Sequence, residues 1–187
     1  MPDRLPLLLH RLDTPIGEML IVIDDKENLR AVDWNDYEPR MRLLLNRHYG
    51  KSGYTLEESC KPGKTILEIK RYFEGDLAAI DSLAVKTAGT AFQHKVWDAL
   101  RNIPCGTTMS YAQLAVKIGC PAAVRAVGLA NGANPVGVIV PCHRVIGANG
   151  SLTGYGGGLH RKSWLLKHEG CATAGRAQAA PLQEALF

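Results

Sequence analysis

Two helix-opening signatures stand twenty residues apart in the second half of this chain, and they restrict what that half can become. Thr90-Ala-Phe-Gln93 and Ser110-Tyr-Ala-Gln113 each set a hydroxyl three residues before a glutamine. Such a pair satisfies two backbone donors at the start of a helix. The first helix carries Phe92, Val96 and Leu100 on one face, and Pro104-Cys105-Gly106 breaks it. The second is short and ends at Gly119; Pro121 then suits the first turn of a further helix, Pro121–Asn131. Two short helices joined by a tight glycine-containing turn form a helix-turn-helix pattern.

The last of these helices is nearly bare. Ala122, Ala123, Ala126, Gly128 and Ala130 leave Arg125 as its one charged group. A reader of the major groove presents longer polar side chains to base edges. Small side chains suit close approach to a narrow groove or to another helix, and the residues alone leave both open. Charge is divided in the same direction. Residues 1–89 hold 13 Lys/Arg and 15 Asp/Glu, whereas residues 90–170 hold 8 Lys/Arg against Asp98 and Glu169 alone. A surface that meets phosphates has this bias, and so does an ordinary basic surface.

The first half reads as α/β. Strands are expected at Leu7–Leu12, Glu18–Asp24 and Leu29–Trp34, with a Thr14–Gly17 turn between the first two. Met41, Leu44, Leu45 and His48 recur at helical spacing, and Ile66, Ile69 and Phe73 form the stripe of a helix near Thr65–Glu74. Asp24, Asp25 and Asp33 read as turn and surface residues. Asp76–Gly89 is the candidate linker. At 187 residues and 46% apolar composition the chain supports one domain or two small ones. No stretch approaches the ~20 apolar residues of a membrane helix, and Leu7–Leu9 is too short for a signal-peptide core. A soluble, cytoplasmic protein is expected.

The chemistry concentrates at one cysteine. The five cysteines are scattered, without a Cys-x-x-Cys pair, which argues for a reducing compartment and against zinc. Val136–Val140 is an apolar, β-branched run expected to be a buried strand, and it ends at Pro141-Cys142-His143-Arg144-Val145. A cysteine beside a histidine and an arginine is placed where a thiolate is favoured. Taken alone the pair is weak, because adjacent side chains on an extended segment point opposite ways. A turn after the strand would relax that objection. Thr153–Gly158 follows as a glycine-rich loop around Tyr155, suited to wrapping a planar ligand, and Arg161–Gly170 is a helix closed by glycine.

From Thr90 to Gly170 the sequence resembles the O6-alkylguanine-DNA alkyltransferases, also called methylated-DNA–protein-cysteine methyltransferases, of the stand-alone bacterial type. The resemblance is carried by Arg125-Ala-Val-Gly128, Asn134-Pro135, Ile139-Val-Pro-Cys-His-Arg-Val-Ile146, Gly154-Tyr155 and Trp164-Leu-Leu-Lys-His-Glu-Gly170. It implies residues 1–85 as a ribonuclease-H-like α/β domain with a small antiparallel sheet and helices. Residues 86–170 would be a mainly α domain with the helix-turn-helix and the active-site cysteine, and 171–187 a flexible tail.

The resemblance also implies roles. Cys142 accepts the alkyl group from O6-alkylguanine in duplex DNA, irreversibly and once per molecule, with O4-alkylthymine a second candidate substrate. His143, through a water and backed by Glu169, draws off the thiol proton, while Asn134 braces the reactive turn. Tyr111 donates to the departing base. Carbonyls of Cys142 and Val145 accept from the guanine amine, and Val145, Tyr155, Gly156 and Lys162 form the base pocket. Arg125 fills the stack after the base is flipped through the minor groove, and Ala122, Ala123 and Ala126 let the helix sit close. Gly156 stands where some relatives carry serine, leaving more room beside the alkyl group. No cofactor or metal is expected, and the protein is expected to be a monomer. A DNA-binding regulator without chemistry would leave Cys142, His143 and Glu169 unused; a cysteine hydrolase would turn over repeatedly. At the C-terminus, Gln183, Leu186 and Phe187 resemble the short peptide that docks bacterial replication proteins on the sliding clamp.

Overall fold

The computed structural model describes residues 4–171; the clamp-like residues Gln183, Leu186 and Phe187 lie outside the described residues. Three strands open the chain: β1 (Leu5–Thr14), β2 (Gly17–Asp24) and β3 (Leu29–Trp34). They pair antiparallel as two hairpins, the first turning where Thr14 Oγ1 donates to the Gly17 carbonyl at 2.6 Å. Helix α1 (Glu38–Tyr49) then crosses over to β4 (Tyr54–Glu58), which joins β1 in parallel. The sheet order is β3-β2-β1-β4. The expected antiparallel sheet is therefore corrected to a mixed one, because the α1 crossover returns the chain in the direction of β1.

Strand β2 is buried on both faces, and its alternation divides the core. Leu20 and Val22 pack with Leu7, Leu9, Met41 and Leu45 beneath α1. Met19, Ile21 and Ile23 face the other way, into a core shared with the second half of the chain. Helix α2 (Lys64–Phe73) supplies Ile66, Ile69 and Tyr72 to that core. Tyr72, not Phe73, is the fully buried aromatic of this helix, beside Ile69.

The second half contributes α3 (Ala91–Arg101), β5 (Met109–Ser110), α4 (Tyr111–Lys117), α5 (Val124–Gly132), β6 (Val145–Ile146) and α6 (Leu159–His168). Both capping boxes are formed, at Thr90 and at Ser110. Helix α4 closes at Gly119, whose φ of 70° suits glycine. Helix α5 starts at Val124, later than Pro121; the Ala123 N–H bonds back to the Cys120 carbonyl, so Pro121–Ala123 form a turn ahead of it. It packs on α3 and α4, and Trp97 Nε1 donates to the Ala130 carbonyl at 2.9 Å.

Val136–Val140 is buried but is not a strand. Val136 makes one bridge to Val32 on β3, and the Val140 N–H then returns to the Val136 carbonyl at 3.0 Å. The run folds back on itself because Asn134 clasps both ends. Its Oδ1 accepts from the Val136 N–H at 3.0 Å and its Nδ2 donates to the Val140 carbonyl at 2.8 Å. Val138 is left at φ 72°, rare for a β-branched residue. No helix among the described residues is long and apolar enough to cross a membrane.

Candidate active site

Cys142 opens a single 3-10 turn, Cys142–Arg144, directly after the Asn134 clasp. The turn removes the objection to adjacent functional side chains, since neighbours on it do not point opposite ways as they do on a strand. All three residues are buried. Burial pushes the Cys142 thiol up, outweighing Asn134 and the charges of Arg40 and Lys162, which act in the opposite sense. The resting thiol is therefore protonated, contrary to the sequence expectation of a favoured thiolate. The reason is burial, and Arg144, which the sequence set beside the cysteine, spends its guanidinium on Glu169 instead.

That carboxylate is surrounded by donors. Arg144 Nε donates to Glu169 Oε2 at 2.8 Å and its Nη2 to Oε1 at 2.9 Å, while Nη1 reaches the Ile103 carbonyl at 2.6 Å. His143 Nε2 lies 2.9 Å from Oε1, and Tyr72 Oη donates to the same oxygen at 2.8 Å. Burial alone would raise the carboxyl; the hydrogen bonds and charges of His143 and Arg144 win and hold it well below the usual carboxylate range. An ionised carboxylate only accepts, so His143 carries its proton on Nε2. Nδ1 then bears the free lone pair, and it is buried with no hydrogen-bond partner among the described residues. Burial also lowers the imidazole pKa, keeping the ring neutral at rest.

The glycine-rich loop closes over this turn. Lys162, fully buried on α6, donates from Nζ to the Val145 carbonyl at 2.6 Å and to the Thr153 carbonyl at 2.7 Å. Burial brings its pKa down to about 8. Lys162, expected in the base pocket, is a staple between loop and turn, does not line the cleft at Cys142, and already uses one acceptor site of Val145. Tyr111, first residue of α4, reaches the same loop, its Oη 3.4 Å from the Thr153 carbonyl. Arg161 fixes the far end, bonding to Asp36 and to the Ile16 and Gly157 carbonyls, and stacking 4.6 Å above the Trp34 ring.

A narrow cleft beside Cys142 is lined by Trp34, Arg40, Asn134, Tyr155 and Gly156. Here the expectation of spare room at Gly156 fails. A Cβ on Gly156 would fall 2.5 Å from Arg40 Cζ, so the guanidinium already fills that space. Asp33, expected at the surface, is buried and pairs with Arg40 at 3.0 Å. Arg125, Ala122 and Ala126 are exposed and Ala123 is partly so. Arg125 has no hydrogen bond or ion pair among the described residues. Sequence reading found Cys142, His143, Glu169 and Asn134 together but missed Arg40, Tyr72 and Arg161. The one signal for Tyr72 was a hydroxyl on an apolar helical stripe, three residues after Ile69.

Residues 91–171 match the family described as 6-O-methylguanine DNA methyltransferase, DNA binding domain. A methylated-DNA–protein-cysteine methyltransferase of Salmonella typhimurium is 53% identical over 166 residues, spanning 89% of this chain and 97% of the relative. The crystal structure of the Mycobacterium tuberculosis O6-methylguanine methyltransferase superposes with a TM-score of 0.70 at 38% identity, covering 93% of this chain and 96% of that one. A Mycobacterium tuberculosis structure solved in complex with DNA superposes equally well, at 0.70 and 37% identity, over 89% of this chain and 96% of its own. Fold and site thus define a protein organised around the buried Cys142. The chain belongs to the methylated-DNA–protein-cysteine methyltransferases.

Proposed function

We propose that this chain repairs alkylated DNA by taking the alkyl group from O6 of guanine onto Cys142, once per molecule. The observation that carries the reading is the setting of His143 beside the cysteine: its Nε2 lies 2.9 Å from Glu169 Oε1, and its buried Nδ1 has no hydrogen-bond partner among the described residues. Through a water, Nδ1 takes the Cys142 proton, and Glu169 stabilises the imidazolium that forms. Sulfur attacks the alkyl carbon, the carbon–O6 bond breaks, and its electron pair stays on the base. Tyr111 donates a proton to the base as that charge develops and is reprotonated, through solvent, by the proton that His143 took from the thiol, so one proton passes in all from Cys142 to guanine. The thioether product has no good leaving group, so the reaction stops. Val145 keeps a second lone pair for the guanine amine, and the Tyr155–Gly156 backbone covers the base.

A base inside a duplex must be extruded, at an expense of a few kcal/mol. Arg125, exposed and without a partner among the described residues, is suited to fill the stack, and the small side chains at 122, 123 and 126 permit close entry from the minor groove. We read α4 and α5 as the helix-turn-helix and the sheet with α1 and α2 as ribonuclease-H-like, with a boundary near residue 85. We also read the protein as a monomer that reaches the sliding clamp through Gln183, Leu186 and Phe187. Intact and truncated chains compared for binding to purified clamp test the last point. The central test is mass spectrometry after incubation with methylated duplex. One methyl per molecule, on Cys142, is expected, with Cys142→Ala binding DNA but gaining none. Repeated turnover, or DNA binding without any transfer, would refute the reading.

A further inference from the structure

Glu169 receives one donor from the first half of the chain. Tyr72, on α2, reaches across to Oε1 at 2.8 Å, the oxygen that also takes the His143 Nε2–H. The phenol is fixed tightly. Its ring is fully buried and meets His168 edge-on at 5.1 Å, and its own carbonyl bonds to His168 Nε2 at 2.7 Å. Packing on this apolar stripe would be served as well by phenylalanine. The hydroxyl therefore has a use of its own, and its one side-chain partner is the carboxylate behind the histidine.

Three donors share the negative charge of Oε1. Each draws density from the others, so what Tyr72 and Arg144 take is unavailable to an imidazolium at His143. We infer that Tyr72 is a positioning residue for alkyl transfer, whose hydroxyl acts through Glu169 to set the basicity of His143. The inference rests on His143 being the base. The other charged groups around His143 are Glu169, Arg144 and Lys162, with Tyr155 edge-on at 6.4 Å; Cys105 and Cys171 lie near Glu169. Of the two donors that share Oε1 with His143, Arg144 is charged and Tyr72 is neutral. Its removal changes the hydrogen bond and leaves the charge count intact.

Tyr72→Phe frees charge on Oε1 for His143, stabilises the imidazolium, and raises the pH at which the ring loses its proton. The test is single-turnover labelling of Cys142 by benzylguanine from about pH 5 to pH 9. In Tyr72→Phe the acid limb should move up by about half a pH unit, a threefold loss of rate well below the midpoint relative to the plateau. Fluorotyrosine at position 72, a stronger donor of nearly the same shape, should move the limb down, and it decides the matter if Tyr72→Phe does not fold. An unmoved limb in the variants that fold, even with lowered thermal stability, overturns the inference and makes Tyr72 merely structural. His143→Gln labelling at the wild-type rate would show instead that the base assignment had failed, and this inference with it.

Discussion

Arg40 and Gly156 occupy one space: the guanidinium lies where a side chain at 156 would begin, with a Cβ there only 2.5 Å from Cζ and 2.8 Å from Nη2. Arg40 is tethered by Asp33 and by the Gly132 carbonyl, so it does not yield freely. Gly156→Ser should destabilise the protein by about 1–3 kcal/mol in denaturant unfolding, the range for overpacking. In an Arg40→Ala background, itself destabilised because buried Asp33 loses its partner, Gly156→Ser should cost little, a strongly non-additive cycle. Arg40→Ala alone should widen the cleft and raise benzyl transfer relative to methyl transfer. An unchanged ratio would show that Arg40 does not bound the alkyl group.

Tyr111 offers a separation of stability from chemistry. Its hydroxyl makes only long contacts, 3.4 and 3.5 Å, to the Thr153 and Gly154 carbonyls. Tyr111→Phe should shift the melting temperature little. Transfer from both duplex and free base should fall by roughly 10- to 100-fold, as expected when a donor to a charged leaving group is lost. A large stability loss with normal transfer would contradict its assignment as proton donor.

Arg125 separates flipping from chemistry in the same way. Arg125→Ala should slow repair of duplex DNA by at least about tenfold and leave the reaction with free benzylguanine near the wild-type rate, because only the duplex has a stack to fill. Equal losses on the two substrates would make Arg125 a structural residue. Stopped-flow labelling with both substrates decides it.

Lys162 gives a pH signature. Its folded pKa, about 8, lies below the ordinary lysine value of 10.5 because burial disfavours the charge. Between those values the unfolded chain binds more protons than the folded one, so stability rises with pH. The contribution is complete above the unfolded value and is lost as pH falls through about 8. Denaturant unfolding should show this rise in the wild type, and Lys162→Met should lack it. Lys162→Met should also be less stable at neutral pH, since the Val145 and Thr153 carbonyls lose their donor. Parallel curves for the two proteins would count against a depressed lysine.

What could be read from the sequence was local. The capping boxes at Thr90 and Ser110 lie within a single turn, and both formed. The cysteine, the histidine beside it and the glutamate closing α6 were legible as a motif. Long-range choices were not. Nothing near Tyr54–Glu58 states that its partner is β1 or that they run parallel; the α1 crossover decides that. Val136–Val140 showed its burial but not its shape, because the clasp comes from Asn134, outside the run. Tyr72 and Glu169 are 97 residues apart, and Arg40 meets Gly156 only after the halves pack. Gly156 reads as empty space in the sequence because its occupant, Arg40, belongs to another element.

The left-handed backbone of Val138 bears on the order in which the molecule assembles. A β-branched residue at φ 72° resists that conformation by on the order of 1–2 kcal/mol, so the turn has no tendency to form by itself in the unfolded chain. It needs β3 in place to receive Val136 and α5 in place to deliver Asn134. The reactive loop is therefore expected to be completed late, on a scaffold already built. Substitutions at Val136 and Asn134 should accordingly speed unfolding while leaving refolding rates nearly unchanged, and Val138→Gly should slow unfolding to the extent that relief of strain exceeds the lost valine packing.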